Sequence, residues 1–410
     1  MSFIHSLPSR SRPTYYWYSR AMMLEGFFTG AAFEMVNFVA RKTIGISEFQ
    51  VTLYPFFMYL GMMMGFLFPQ LFQVKSKMRF VFWTSVPCKL LFIVFSFMAQ
   101  PSLFFTLSAA ALFLSKMYVP MNVSVLKSNY PESLRGTIVG HLRTLELVCT
   151  LAGGILSGWV LNQHAGHFRW VFTLAAVGGI VGTCYFTRIR EHGPILNRTL
   201  VSFAQMLEVL RKDHLYLRFQ LQFSVSGIAN LMAMPLYVLY IVDVLHANYW
   251  QIALASCVAY YLVSILTQRW WGRLTDRHPN PILMRAALSF LWGFHPLCYA
   301  WAGSMTMIYV AWAWFGFLMA GGQLNWMLSP LYFCSKDDAP VYTTIHTCFN
   351  GVRGILAPVL TYGCYRLLGF TYTFCLISCI MFLNAFMLYD LYIRTRNQIR
   401  MEMVPEQIPG

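Results

Sequence analysis

Residues 136–188 read GTIVGHLRTLELVCTLAGGILSGWVLNQHAGHFRWVFTLAAVGGIVGTCYFTR. Two apolar runs, at about 136–162 and 168–188, are separated only by a short polar break. At about 1.5 Å per residue, each run is long enough to cross a hydrocarbon layer roughly 30 Å thick. Adjacent small residues, Gly153-Gly154 and Gly178-Gly179, interrupt neither run. The stretch therefore predicts a pair of membrane-crossing helices joined by a tight connection.

The pattern extends in both directions. Helices 1 to 4 are expected at about 21–40, 50–73, 79–98 and 102–127, and the quoted pair supplies helices 5 and 6. After a longer polar stretch, helices 7 to 12 follow at about 217–242, 249–271, 281–302, 305–333, 342–366 and 370–393. The chain of 410 residues is 58% hydrophobic and 11% charged, against about 25% charged in a soluble protein. An ordinary water-soluble fold is excluded, and no stretch is long and polar enough for a separate soluble domain. The sequence specifies an all-α membrane protein of about twelve transmembrane helices, arranged as two six-helix pseudo-symmetric bundles. The expected division is a cytoplasmic N-terminal tail at 1–20, bundles at 21–188 and 217–393, a cytoplasmic linker at 189–216, and a cytoplasmic tail at 394–410.

The net charge of +15 does not mark a nucleic-acid partner, because the cations lie between apolar runs instead of forming a basic face interleaved with aromatics. With the N-terminus inside, 22 of the 30 Lys and Arg fall on the cytoplasmic side, Arg285 counted among them. Four, Arg41, Lys42, Arg169 and Arg366, fall outside. This asymmetry places both termini in the cytoplasm of a multi-pass inner-membrane protein, with Arg41-Lys42 as the local violation. The ten cysteines form no CxxC pattern, and the methionines of helices 2 and 7 have no His or Cys on the same face. No metal or cofactor is expected.

Between helices 8 and 9 stands Gly272-Arg-Leu-Thr-Asp276-Arg277-His-Pro-Asn-Pro-Ile-Leu283, and helix 5 is entered by Pro131-Glu132-Ser-Leu-Arg135-Gly136-Thr. These segments resemble the cytoplasmic loop signature and the helix 5 entry of the major facilitator superfamily. The topology extends that resemblance over essentially the whole chain, and it implies a transporter of two parallel six-helix repeats. The loop between helices 2 and 3, Phe68 to Arg79, keeps the cations of the signature but lacks its Gly and Asp. The resemblance therefore assigns the cytoplasmic gate to Gly272, Asp276 and Arg277, with Arg143 and Glu146 as a linked i,i+3 pair nearby. The Gly-Pro pair of antiporter-type members is replaced by Gly153-Gly154, which leaves import and export open.

An ionisable side chain in lipid costs roughly 2.5–3.5 kcal/mol, so it must face a cavity or a partner. Helix 1 sets Gly30, Glu34, Asn37 and Arg41 on one stripe, while Glu25 projects about half a turn away and packs elsewhere. Glu34 is either the static partner of an intramembrane lysine, Lys89 or Lys116, or a carboxylate that loads and releases a proton. Asn122 continues a polar stripe of helix 4. In the second half, Asn230, Gln323 and Asn325, and the face His346, Asn350 and Arg353 of helix 11, imply a wet cavity between the halves. Within the spans, cations exceed carboxylates by one, which favours an anionic or zwitterionic solute. No nucleophile and base are paired as an enzyme needs. The expected function is a secondary active transporter of a small organic solute, working by alternating access as a monomer, with protons as the candidate coupling ion. A non-transporting receptor, scaffold or lipid-handling protein on the same fold is the alternative.

Overall fold

The computed structural model describes residues 8–9, 11–71, 76–190, 202–278, 280–335 and 338–402. Among them the chain is helical with no strand. Helix α1 runs Arg12–Phe28 and continues through a π turn at Thr29–Phe33, a short Val36–Val39 segment and a second π turn at Ala40–Ile44. It is followed by α2 (Glu48–Leu71), α3 (Lys77–Ser96), α4 (Pro101–Met117, extended by Val119–Asn129), α5 (Glu132–Gln163) and α6 (Phe168–Phe186). A linker helix, Phe203–Lys212, leads to α7 (His214–Leu239 with the π turn Tyr240–Val244). Next come α8 (Tyr249–Ala253, the π segment Leu254–Ala259, then Tyr260–Arg277), α9 (Pro281–Ala300) and α10 (Met305–Tyr332). The continuous segment Ala339–Glu402 breaks at Gly369, whose φ of +72° is left-handed, and so divides into α11 and α12.

Among the described residues, seven segments are long and apolar enough to cross a membrane, one of them the 58-residue Ala339–Arg396 that contains the Gly369 break. Large apolar side chains such as Trp83, Leu174, Leu266, Val310 and Leu383 point outward and are more than 60% exposed. A surface of that kind suits lipid, where helices satisfy their own backbone hydrogen bonds.

The N-terminal boundary differs from expectation. Residues 12–20 are not tail but the first turns of α1, because Tyr15, Tyr18 and Ala21 are buried against Val125, Ile138 and Phe186. The expected linker contains the capped Phe203–Lys212 helix, while residues 191–201 lie outside the described residues, as do Lys75, Lys336 and the ends of both tails.

A repeat absent from the sequence reading is visible at the far end of the molecule, where α1 and α7 finish. Each ends in a π turn, Ala40–Ile44 and Tyr240–Val244, followed by one left-handed residue, Gly45 at φ +79° and His246 at φ +48°. Each then enters the next helix through the same reciprocal cap. Ser47 and Gln50 exchange backbone-to-side-chain bonds at 2.9 and 3.2 Å, and Asn248 and Gln251 do so at 2.9 and 2.8 Å.

Close helix approach explains the double glycine of α5. A Cβ on Gly153 would stand 2.6 Å from Phe27 O on α1, and one on Gly154 would stand 2.4 Å from Cys257 Sγ on α8. Helix α5 is thus seated between α1 and α8. On the α1 side, a Cβ on Gly30 would come within 1.9 Å of Thr150 O. Gly30→Ala should therefore cost about 1–3 kcal/mol through overpacking, measured as a lower unfolding temperature in detergent. Gly178→Ala, where a Cβ meets nothing within 4 Å, should leave that temperature unchanged or slightly higher.

Candidate functional site

Helices α1, α3, α4 and α5, with Tyr261 from α8, enclose a cavity of about 180 Å³. Its wall carries six ionisable groups: Glu25, Glu34, Lys89, Lys116, Arg143 and Glu146. Four of them are spoken for. Lys89 Nζ lies 2.9 Å from Glu25 Oε2 and donates to Ser85 Oγ at 2.6 Å, while the Tyr118 hydroxyl donates to Glu25 Oε1 at 3.2 Å. Arg143 Nη1 and Glu146 Oε2 are 2.7 Å apart on successive turns of α5.

The remaining two, Glu34 and Lys116, are differently held. Glu34 Oε1 accepts a 2.7 Å hydrogen bond from the Tyr261 hydroxyl, a contact between residues 227 positions apart. Lys116 Nζ stands 5.0 Å from the centroid of the Phe33 ring, and among the described residues no carboxylate lies within 4.0 Å of it. The cavity therefore offers one carboxylate and one ammonium, neither in an ion pair within 4.0 Å among the described residues, each lying in the electrostatic field of the other. A ligand with an amine and an acid group would complete both.

Helix geometry explains why Glu25 is in this wall. On a regular α-helix, nine residues rotate a side chain by about half a turn. The π turn at Thr29–Phe33 lies between Glu25 and Glu34 and absorbs one extra residue, so the effective offset is nearer eight, roughly 80°. Both carboxylates then face the same space. Lys89 is accordingly paired with Glu25, and Glu34 reaches across to the second half of the chain.

Other sequence-selected residues are dispersed. Arg143 and Glu146 sit in the cavity wall and not at the end of the molecule, where a gate was expected. Asp276 and Arg277 are exposed, and neither makes an ion pair among the described residues; Asp276 borders a separate cavity of about 370 Å³ between the ends of α8, α9 and α10. A Cβ on Gly272 would meet nothing within 4 Å. Asn325 Nδ2 donates to Pro281 O at 3.0 Å, tying α10 to the start of α9, and Gln323 is exposed. Asn37 and Asn122 each keep a buried side-chain oxygen without a partner, Asn122 beside Glu25 and Tyr118, while Asn230 is half-buried. His346 Nδ1 engages the Gln220 side-chain amide at 3.0 Å, and Asn350 Oδ1 accepts from Arg353 Nε at 2.8 Å.

Tyr261, Asp243 and Arg285 were not identified as participants from the sequence. Tyr261 carried no signal, because one tyrosine among many apolar residues resembles packing. Asp243 and Arg41 form a bidentate pair, with Arg41 Nε 3.0 Å from both carboxylate oxygens and Nη2 2.9 Å from Oδ2. That pair accounts for the local violation at Arg41-Lys42: the cation is tied to a carboxylate. Arg285, assigned to a cytoplasmic loop, is buried within α9.

The family profile of the Major Facilitator Superfamily matches residues 80–328. The chain belongs to that superfamily. It is a multi-pass membrane protein and a secondary transporter, not an enzyme. Solved structures agree on the fold. A POT family transporter in complex with a thioalcohol-conjugated peptide aligns with a TM-score of 0.73 at 11% identity, covering 95% of this chain and 99% of that one. Peptide transporter POT in complex with sulfate aligns at 0.72 and 12% identity, covering 96% and 98%. A mutant of the nucleoside transporter NupG aligns at 0.69 and 10% identity, covering 92% and 100%. No curated protein is significantly similar in sequence.

Removing one partner of a buried ion pair leaves a charge uncompensated, at a cost of about 3–5 kcal/mol, while replacing both can be neutral. Lys89 is 1% exposed. Thermal unfolding should therefore show Lys89→Met strongly destabilised and the Glu25→Leu/Lys89→Met double variant close to the parent.

Proposed function

We propose that the chain moves a small zwitterionic or anionic organic solute across the cytoplasmic membrane by alternating access. In this reading twelve spans form two six-helix bundles, at 21–188 and 217–393 with α1 extended back to Arg12, and both termini are cytoplasmic. The observation that carries it is the Glu34–Tyr261 bond, which spans the two halves at the edge of a cavity that also holds the unpaired Lys116.

The solute's acid group sits on Lys116 and its amine, where present, on Glu34. When Glu34 takes a proton its charge is lost, and with it the electrostatic hold on the solute cation. Glu34 thereby couples proton movement to solute movement. Because Tyr261 belongs to the second half, a change at Glu34 is felt directly at the contact between the halves.

The conformation supports an inward-facing state. Among the described residues, the ion pairs Arg41–Asp243 and Arg366–Glu48 join the halves, and both lie at the far end. Thr43 and Tyr249 share a hydrogen bond there, and the Phe49 and Tyr362 rings meet at 5.0 Å. Rocking the bundles must break these contacts. The structural neighbours, a POT family transporter in complex with a conjugated peptide and a nucleoside transporter, fit a small polar organic solute.

Purified protein screened against amino acids, short peptides, nucleosides, sugars and small organic acids should show a rise in unfolding temperature with at least one class. That rise should shrink in Glu34→Gln and Lys116→Ala. In liposomes the same solute should be taken up saturably, faster with an imposed proton gradient, and the gradient effect should vanish in Glu34→Gln. Stabilisation by a lipid or protein with no solute flux would favour a receptor or lipid-handling role instead.

The far-end contacts generate a second test. A short, reductant-cleavable bifunctional thiol reagent bridging the introduced cysteines of Arg41→Cys/Asp243→Cys should hold the halves together and abolish flux, and a reductant should restore it. Flux unaffected by the crosslink would sink the alternating-access reading.

A further inference from the structure

Helices α7, α9 and α11 enclose two guanidinium groups that the Glu34–Lys116 cavity does not use. Arg285 is 4% exposed and Arg353 is 9% exposed. Their central carbons lie 4.0 and 5.0 Å from the centroid of the same ring, Phe223, and hence within about 9 Å of each other. Arg285 donates from Nε and Nη2 to Ser226 Oγ at 3.2 and 2.6 Å and also stands 4.8 Å from the Trp292 ring. Arg353 donates from Nε and Nη2 to Asn350 Oδ1 and from Nη1 to Phe223 O at 3.3 Å.

Every one of these acceptors is neutral. Among the described residues no carboxylate lies within 4.0 Å of either guanidinium. A guanidinium stays charged, so the cluster buries two positive charges side by side. Stacking on aromatic rings offsets part of that cost, and the hydrogen bonds offset another part, but nothing neutralises the charge. The contrast with the first half is direct, where Lys89 and Arg143 each have a carboxylate within 2.9 Å.

The surroundings add unused hydrogen-bonding capacity. Among the described residues, the buried indole nitrogens of Trp292 and Trp326 have no acceptor, and the buried Nε2 of His346 has no partner. His346 stands 4.8 Å from the Phe223 ring and 5.5 Å from Trp326, so these groups surround the same ring as the arginines. Two fixed positive charges, two idle indole N–H groups and an idle imidazole nitrogen make a setting suited to an acceptor-rich anion.

We propose that this cage binds a doubly charged tetrahedral oxyanion, a phosphate group, either free or as a phosphate monoester. Two guanidinium groups match its charge, and the donors now held by the neutral Ser226 Oγ and Asn350 Oδ1 would turn to its oxygens. Helix α2 closes the cage in the present conformation: Tyr59 occupies the space beside Gly354, and Asn350 Nδ2 abuts Met62 Sδ at 3.6 Å. Entry requires α2 to part from α11, and to that extent the inference rests on the alternating-access reading.

The test uses the purified full chain with inorganic phosphate, glycerol phosphate and sulfate, with chloride at matched ionic strength as control. Phosphate or its monoester should raise the unfolding temperature saturably, and chloride should not. Arg285→Met should keep or raise the stability of the ligand-free protein, because an uncompensated charge is removed, while weakening phosphate binding at least tenfold. Arg353→Gln should weaken it similarly. A stronger response to the monoester than to phosphate identifies an esterified solute, and the reverse identifies the free ion; both support the site. Should a variant fail to fold, tryptophan emission of the unmodified chain is read instead: phosphate should change it, and Trp292→Phe should diminish that change.

The proposal is overturned if no probe gives a saturable response, or if the response survives in both arginine variants, which would mean an adventitious ion only. It is equally overturned if Arg285→Met lowers stability and leaves the phosphate response intact, for Arg285 then only braces Ser226 and Phe223. Solute flux in liposomes is read separately. Flux that persists without phosphate binding removes this inference and leaves the transport reading standing, whereas absence of flux with phosphate binding does the reverse.

Discussion

The Arg41–Asp243 ion pair joins residues 202 positions apart and anchors the relation between the two halves of the chain. It is made by two π turns of matching construction, each closed by a left-handed residue and each followed by the same reciprocal cap. The guanidinium meets the carboxylate through parallel bonds, and Arg41 Nη1 also donates to Ile46 O at 2.7 Å, so the side chain is fixed in one geometry. With the far end held, α5 is clasped between α1 and α8 at Gly153 and Gly154, and Glu34 comes within reach of Tyr261. Geometry at the middle of the molecule thus follows from a contact at its end.

Electrostatics divide the molecule unevenly. In the first half, cation and carboxylate are matched nearly one to one, and the pairs Glu25–Lys89 and Arg143–Glu146 cancel locally. What remains is Glu34 and Lys116, both in the wall of the same cavity. In the second half the buried cations Arg285 and Arg353 have only neutral partners. A low-dielectric interior keeps such charges only where something compensates them. Compensation by ion pairs is found at Lys89 and Arg143 in the first half and, among the described residues, at neither Arg285 nor Arg353 in the second.

Helix positions were legible because hydrophobic length is a strong signal, and the quoted 136–188 stretch matches α5 and α6 within a few residues. The family resemblance carried by Gly272–Leu283 agrees with the profile match over 80–328. The site was legible in residue type but not in pairing. Spacing rules assume a uniform α-helix, and the π turn at Thr29–Phe33 rotates Glu25 into the cavity that those rules denied it. Arg285 was misread because it lies only four residues inside α9, where positive charges ordinarily belong to the loop. Nothing in the sequence distinguishes Tyr261 from the surrounding aromatic packing, since its role depends on a helix more than 200 residues away.

The matching turns bear on how such a contact can arise. Arg41 is the second residue of its turn and Asp243 the fourth of its own, so the pair joins unlike positions of the two turns. A two-fold contact between identical turns would make such a cross-contact twice, i to j and j to i. Here the fourth place of the first turn is Thr43 and the second place of the other is Ile241, so the reciprocal ion pair has no residues to form it. The fastening is therefore made once, a one-sided lock between turns of otherwise matching construction.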